Sequence, residues 1–207
     1  MTTNTATRSS LLGLLIFLSI PIALYAFVFQ SGMAGGTDFH ERFATMPVFA
    51  ACHILGSGVA LLLGGFQFLP ALRRRRPELH RWLGRTYLVA VCAGGIGGLV
   101  LASNATGGLV ARVGFSGLGI VWLYSGWQAY AAIRRRDIRS HQRWMVRNFA
   151  LTFAAVTLRI YLGLSEAAGI PFQEFYPVVA WLCWVPNLIL VEWLLLSPLN
   201  PVPPGRL

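Results

Sequence analysis

The sequence predicts an all-α, polytopic membrane protein with six transmembrane helices. Two features of its composition favour this class: 56% of the 207 residues are hydrophobic and only 12% are charged. A third is the grouping of apolar residues into six stretches, each about as long as a helix that crosses a hydrocarbon core. A water-soluble domain needs a more polar surface. Residues 1–207 are therefore predicted to form a single transmembrane domain.

The predicted helices can be taken in chain order. The first, 11–29, follows Arg8 as a signal peptide would, but its apolar stretch is long for one, so we predict an uncleaved helix. The other five are predicted at 46–69, 86–103, 113–133, 148–165 and 176–196. Aromatic residues typical of membrane interfaces stand near the predicted ends: Trp82, Tyr87, Tyr130 and Trp144 on one side, Tyr176 and Trp181 on the other.

The basic residues, all of them arginine, are distributed unequally about these helices. Arg42 and Arg112 lie on one side and Arg159 lies within the fifth helix. The other fourteen lie on the opposite side: Arg8, Arg73 to Arg76, Arg81, Arg85, Arg134 to Arg136, Arg139, Arg143, Arg147 and Arg206. By the positive-inside rule we expect that side, with both termini, to be cytoplasmic. Since the arginines separate membrane spans, the net charge of +10 does not indicate a nucleic-acid partner.

An internal repeat connects the second and fourth helices. Residues 56–80 align without a gap with 117–141, and the rarer identities are Gln67 with Gln128 and His80 with His141. The repeat predicts that helices 2–3 and 4–5 are a duplicated pair of parallel hairpins that form the core, with the first and sixth helices outside it. A two-fold axis along the membrane normal would bring His80 and His141 face to face at the cytoplasmic end.

Two polar stripes mark the faces expected to turn inward. On a continuous fifth helix, His141, Asn148, Thr152, Arg159 and Glu166 fall along one line. The second helix carries a similar stripe with His53 and Gln67, and Gln128 is the repeat partner of Gln67. Lipid disfavours polar side chains, so these stripes predict a functional seam. His53 and Arg159 are expected to share a site near the outer face, and the candidate partners of the guanidinium are Glu166, Glu192, an anionic ligand or water.

Three strings carry a resemblance to a known family: Gly64 to Pro70 (GGFQFLP), Leu79 to Leu88 (LHRWLGRTYL) and His141 to Tyr161 (HQRWMVRNFALTFAAVTLRIY). With them, roughly residues 45–165 resemble a family of bacterial predicted membrane proteins classified as a domain of unknown function. The resemblance implies a multi-helix protein of the bacterial inner membrane and implies no activity.

The leading functional hypothesis is a small b-type haem or quinone-binding redox protein. His80 and His141 would ligate the haem iron, and Arg85 and Arg147 would bind the haem propionates. A quinone head group or a second haem would occupy the site of His53 and Arg159. His53 has no histidine at its repeat position, so an arrangement of four haem-ligating histidines is absent. This hypothesis expects a membrane redox partner or a homo-oligomer.

Two alternatives stay open. One is a transporter or channel-like protein, with Arg159 contacting an anionic substrate and His53 relaying protons. The other is a non-catalytic accessory subunit of a membrane assembly. The sequence leaves open whether the protein is an enzyme, although it has no hydrolase or phosphate-loop motif.

Overall fold

A computed structural model describes residues 5–33 and 37–193 as helices joined by short turns, with no strand in these two ranges. The helices are α1 Thr5–Gln30, α2 Thr37–Ala44, α3 Pro47–Gly64, α4 Pro70–Arg75, α5 Pro77–Ala102, α6 Gly108–Arg134, α7 Ile138–Thr152, α8 Ala154–Ala167, α9 Phe172–Leu182 and α10 Val185–Val191. A 3-10 turn, Gly65–Phe68, follows α3.

The prediction of six membrane-crossing helices is confirmed. Six helical segments are long and apolar enough to span a bilayer: Ser9–Gln30, Pro47–Phe68, Pro77–Ala102, Gly108–Arg134, Ile138–Ala167 and Phe172–Val191. The fifth combines α7 and α8, which are separated at Phe153, and the sixth combines α9 and α10. The segments alternate in direction and therefore place the arginine runs of α4 and of the α6–α7 turn at one end, called here the arginine-rich end.

The third and fifth spans start earlier than predicted, at Pro77 and Ile138, and the first predicted outer loop contains a helix. The third span starts at Pro77 instead of near 86, because proline is favourable in a first helical turn and the arginines that follow are good helix formers. His80 and Arg85 are therefore helical residues. In the predicted outer loop, α2 forms and packs against α1, with the ring of His40 stacked on Phe29 at 4.4 Å between centroids.

The closest helix pair is α3 with α5, and glycines make this approach possible. A Cβ atom added at Gly56 would lie 2.7 Å from the backbone nitrogen of Gly94 and 2.8 Å from the backbone oxygen of Ala90. A Cβ atom at Gly97 would overlap the backbone oxygen of Phe49. Because these are backbone atoms, they cannot swing aside as a side chain does. The glycine-rich faces therefore hold α3 and α5 in backbone contact.

Four spans form a closed ring around the interior: α3 packs on α5, α5 on α6, α6 on α7, and α7 on α3. Helix α1 lies against α3, and α9 lies against α6 and α8. That the two hairpins in this ring are duplicates of one another stays a prediction. The glutamines that suggested it have different surroundings, since Gln67 is buried whereas Gln128 binds the exposed Tyr124 hydroxyl through its amide at 2.7 Å.

A buried hydrogen-bonded network joins α5, α6 and α7 at the centre of this ring. The hydroxyl of Tyr87 donates to Oδ1 of Asn148 at 2.6 Å and lies 2.9 Å from Oγ1 of Thr152. The amide of Asn148 donates to the Trp122 carbonyl and to Ser125 Oγ, both at 2.8 Å. Tyr87, predicted at the interface, is instead fully buried because the helix starts well before it.

Candidate functional site

A cavity of about 380 Å³ lies between α1, α3, α5, α6 and α8, in the half of the bundle away from the arginine-rich end. Its volume and its mostly apolar lining are typical of sites for small organic molecules. We call it the outer cavity and define it by its polar lining residues His53, Ser57, Trp122, Thr152 and Arg159. His53 and Arg159 both line this cavity, and that they form one functional site stays a prediction.

His53 has one ring nitrogen committed to the scaffold. Its Nδ1 lies 2.9 Å from the backbone oxygen of Gly94, and a carbonyl only accepts, so Nδ1 carries the hydrogen. In the neutral imidazole, Nε2 then holds a lone pair. A Cβ atom at Gly98 would lie 2.8 Å from Nδ1 and 3.1 Å from Cε1, so this edge of the ring faces α5. The opposite edge is left to the cavity.

Arg159 is a half-buried cation in the membrane-spanning part of α8. One terminal nitrogen donates to the backbone oxygen of Ala155 at 2.8 Å, and the guanidinium carbon lies 5.4 Å from the centre of the Tyr25 ring. Among the side chains that the structure describes, no carboxylate forms an ion pair with it. Because a charge in this setting is costly unless it is paired or hydrated, the free donors of Arg159 form the cavity's main polar attraction.

Ser57 and Tyr25 are among the lining residues that were not predicted from sequence. Ser57 stands one turn after His53, and its buried hydroxyl has no hydrogen-bond partner in the described part of the chain. Its position on the His53 stripe was a usable signal, although a serine in an apolar run is usually a packing residue. Tyr25 carries no such signal, because only the packing of α1 against the bundle places it beside Arg159.

One wall of the outer cavity is formed by the buried hydrogen-bonded network that joins α5, α6 and α7. Trp122 and Thr152 line the cavity, and the indole nitrogen of Trp122 donates to Oγ1 of Thr152 at 2.9 Å. Thr152 also contacts the Tyr87 hydroxyl, so the side chains of this wall are held in place by hydrogen bonds to one another. Asn148 belongs to this network and does not line the cavity.

The inner histidines lie elsewhere, toward the arginine-rich end. His141 Nδ1 donates to the backbone oxygen of Ala129 at 2.9 Å, whereas Nδ1 of His80 is buried without a partner among the described residues. The two rings are close enough to interact electrostatically. Neither lines the outer cavity. Haem ligation by this pair stays a prediction, and the described segments contain no cluster of three or more metal-ligating side chains.

The predicted propionate ligands have other contacts in the structure. Arg147 forms a bidentate ion pair with Glu192, in which Nη2 of the arginine lies 2.9 Å from Oε2. Its guanidinium carbon lies 4.6 Å from the centre of the Trp144 ring. This pair uses the carboxylate of Glu192, which was one candidate partner of Arg159. Arg85 is exposed and lies over the Trp82 ring at 5.3 Å.

The remaining seam residues separate in the fold. Gln67 is buried near α5, and the side-chain nitrogen of its amide has no partner in the part of the chain described. Gln128 faces Tyr124 on the outside of α6. Glu166 is exposed at the end of α8. Of the predicted seam residues, Arg159 and Thr152 line the outer cavity and Asn148 belongs to the buried network. Gln128 and Glu166 lie in neither.

Comparison with known proteins agrees with this membrane architecture. The family described as "Predicted membrane protein (DUF2306)" matches residues 50–195, a range that contains His53, Arg159 and both inner histidines. No curated protein and no solved structure matches the chain significantly. Because the matched range covers well over half of the sequence, the chain belongs to this family of predicted membrane proteins of unknown function.

Proposed function

We propose that the protein binds a membrane-soluble quinone or quinol in the outer cavity. The observation that carries this proposal is that one largely apolar cavity contains both a lone pair on Nε2 of the neutral His53 ring and the cation of Arg159, which has no carboxylate partner among the described side chains. A quinone offers carbonyl oxygens to the guanidinium. A quinol offers a hydroxyl hydrogen to Nε2. The apolar walls suit the isoprenoid part of either molecule.

The chemistry of the two polar groups favours this class over a simple lipid anion. A carboxylate or phosphate would pair with Arg159, but it would bring a second set of lone pairs toward Nε2 of His53. A molecule that both accepts and donates satisfies both residues. The unpartnered hydroxyl of Ser57, one turn from His53, can serve either role.

The position of the cavity supports a ligand that reaches it through lipid. Helix α1 contributes Tyr25 and Phe29 to the lining, and it packs mainly on α3, at the edge of the ring. Oxidation or reduction of the bound molecule would require an electron-transfer partner, which a membrane redox protein would supply. We further infer from the arginine distribution that the outer cavity opens toward the non-cytoplasmic leaflet of a bacterial inner membrane.

Binding can be measured with the full chain in nanodiscs and a short-chain ubiquinone or menaquinone analogue. Quinones quench indole fluorescence, and Trp122 lines the cavity, so titration should quench part of the emission. We expect Arg159→Gln to raise Kd by roughly 10-fold to 100-fold, the effect of one lost charge-assisted hydrogen bond. His53→Leu should also weaken binding.

Arg112→Gln is the matched control, because Arg112 is exposed on the same side of the membrane and does not line the cavity. Thermal unfolding of each variant establishes that it is folded. Equal quinone affinity in the wild type and in folded Arg159→Gln would contradict the proposal. A fatty acid that displaces the quinone and binds more tightly would assign the cavity to an anionic lipid instead.

A further inference from the structure

Two unsatisfied polar groups lie on one face of α5 at the arginine-rich end, outside the outer cavity. The side-chain nitrogen of Gln67 and Nδ1 of His80 are both buried without a hydrogen-bond partner in the described ranges. Oε1 of Gln67 lies 3.2 Å from the position that a Cβ atom of Gly84 would take. Gly84 is one helical turn from His80, so the Gln67 amide and the His80 ring share this face.

The surroundings of this face are cationic. Helix α4, which carries Arg73, packs against α5, which carries His80. The positive charges of Arg73 and Arg81 and the ring of His141 are all near enough to act on His80. Arg73 is half-buried on α4, where burial and the neighbouring Arg74 both lower the pKa of its guanidinium. A lowered pKa means that the positive charge is disfavoured where it stands. An anion near Arg73 would relieve this, and it would also accept hydrogen bonds.

No carboxylate of the described chain supplies that anion. Glu78 and Asp137, the acidic residues nearest in sequence, are both exposed, and Asp137 accepts a hydrogen bond from the backbone of Ser140 at 3.0 Å. Neither forms an ion pair with Arg73 or His80. A buried amide left without an acceptor costs about 1–3 kcal/mol, so an occupant with acceptor oxygens is favoured at this position.

We propose that Gln67, His80 and Arg73 form a binding site for a phosphate group at the arginine-rich end of the bundle. Phosphate oxygens accept from the two amide hydrogens of Gln67 and from a protonated imidazole nitrogen, and the guanidinium balances their charge. His80 lies in the first turn of the third span, so we expect this site at the depth of lipid head groups. The phosphate can therefore belong to an anionic phospholipid or be free in solution.

The test uses the full chain in a neutral detergent and follows thermal unfolding and lipid retention by native mass spectrometry. The probes are phosphatidylglycerol, a diacylglycerol with the same acyl chains but no phosphate, and inorganic phosphate. We expect phosphatidylglycerol to raise Tm and to remain bound, with affinity reduced about tenfold or more in Gln67→Leu and in Arg73→Gln. Inorganic phosphate that stabilises the wild type equally well would identify free phosphate as the ligand and would also support the site.

Gln128→Leu is the matched control, since it removes the repeat-related amide, which already has a partner on an exposed face. Arg73→Gln keeps the test decisive if Gln67→Leu does not fold, because Arg73 lies on the short α4 outside the spans. Three results would overturn the proposal: equal stabilisation by phosphatidylglycerol and the phosphate-free diacylglycerol, with none by inorganic phosphate; equal lipid loss in Gln67→Leu and Gln128→Leu; or a haem absorbance band that His80→Ala abolishes.

Discussion

Replacing Gly97 by valine is expected to abolish the stable packing of α3 on α5. The new Cβ atom would overlap the backbone oxygen of Phe49 and lie 2.8 Å from the backbone nitrogen of His53, so relief requires one helix to move. Overpacking of this kind costs about 1–3 kcal/mol and more when backbone must shift. We expect Gly97→Val to lower the free energy of unfolding by about 3 kcal/mol or more. This should be seen as a large fall in Tm and in the yield of monodisperse protein.

Gly163→Val provides the control for Gly97→Val. Gly163 also lies within a spanning helix, but a Cβ atom there meets nothing within 4 Å, and valine is a better helix former than glycine. Its Tm should equal or exceed that of the wild type. A Gly97→Val protein with wild-type Tm would show that the close approach of α3 and α5 is not required for stability. Loss of quinone binding should accompany the displacement, because His53 is held against Gly94 at the same contact.

The second large effect is expected for Asn148→Leu. Leucine is similar in size, but it removes the bonds that Asn148 makes to the Tyr87 hydroxyl, the Trp122 carbonyl and the Ser125 hydroxyl. The Tyr87 hydroxyl keeps its contact with Thr152, and the Ser125 hydroxyl still donates to the Trp122 carbonyl. A buried polar group that loses its hydrogen bond costs about 1–3 kcal/mol. We therefore expect the free energy of unfolding to fall by about 2–5 kcal/mol, partly offset where two of these groups can pair with each other. Chemical unfolding of the full chain in detergent micelles measures the difference.

A comparison within the chain separates this effect from the loss of an amide as such. Gln128→Leu removes an amide whose hydrogen bond to Tyr124 is exposed, and we expect a change below about 1 kcal/mol. Tyr87→Phe should fall between the two, since it removes one hydroxyl from the same network. Equal stability of the Asn148 and Gln128 variants would contradict the importance assigned to the buried network.

Much of the membrane architecture could be predicted because hydrophobicity and charge are properties of short segments. Each predicted span overlaps an observed one, since about twenty consecutive apolar residues have few alternatives to a transmembrane helix. Helix ends were harder to predict. The early start of α5 at Pro77 depends on backbone hydrogen bonding that continues into the polar region, which hydropathy does not report.

The candidate site was predictable only in part. His53 and Arg159 could be named because a histidine and an arginine within apolar runs are unusual and need a reason. Pairing them by depth was also possible, since each helix rises by about 1.5 Å per residue. Ser57 and Tyr25 could not be placed in the same way, because serine and tyrosine are common in membrane helices and their role depends on which neighbour they face.

Sequence by itself determined that this chain is a six-span helical membrane protein with an arginine-rich end, because each span must satisfy its own backbone in lipid. Only the tertiary structure decided which polar residues meet. It placed Arg147 against Glu192, left Arg159 without a carboxylate in the described chain, and paired Asn148 with Tyr87. These contacts depend on how each helix is rotated and how closely it approaches its neighbours, which hydrophobic periodicity does not encode. The glycine contacts between α3 and α5 help to set this approach.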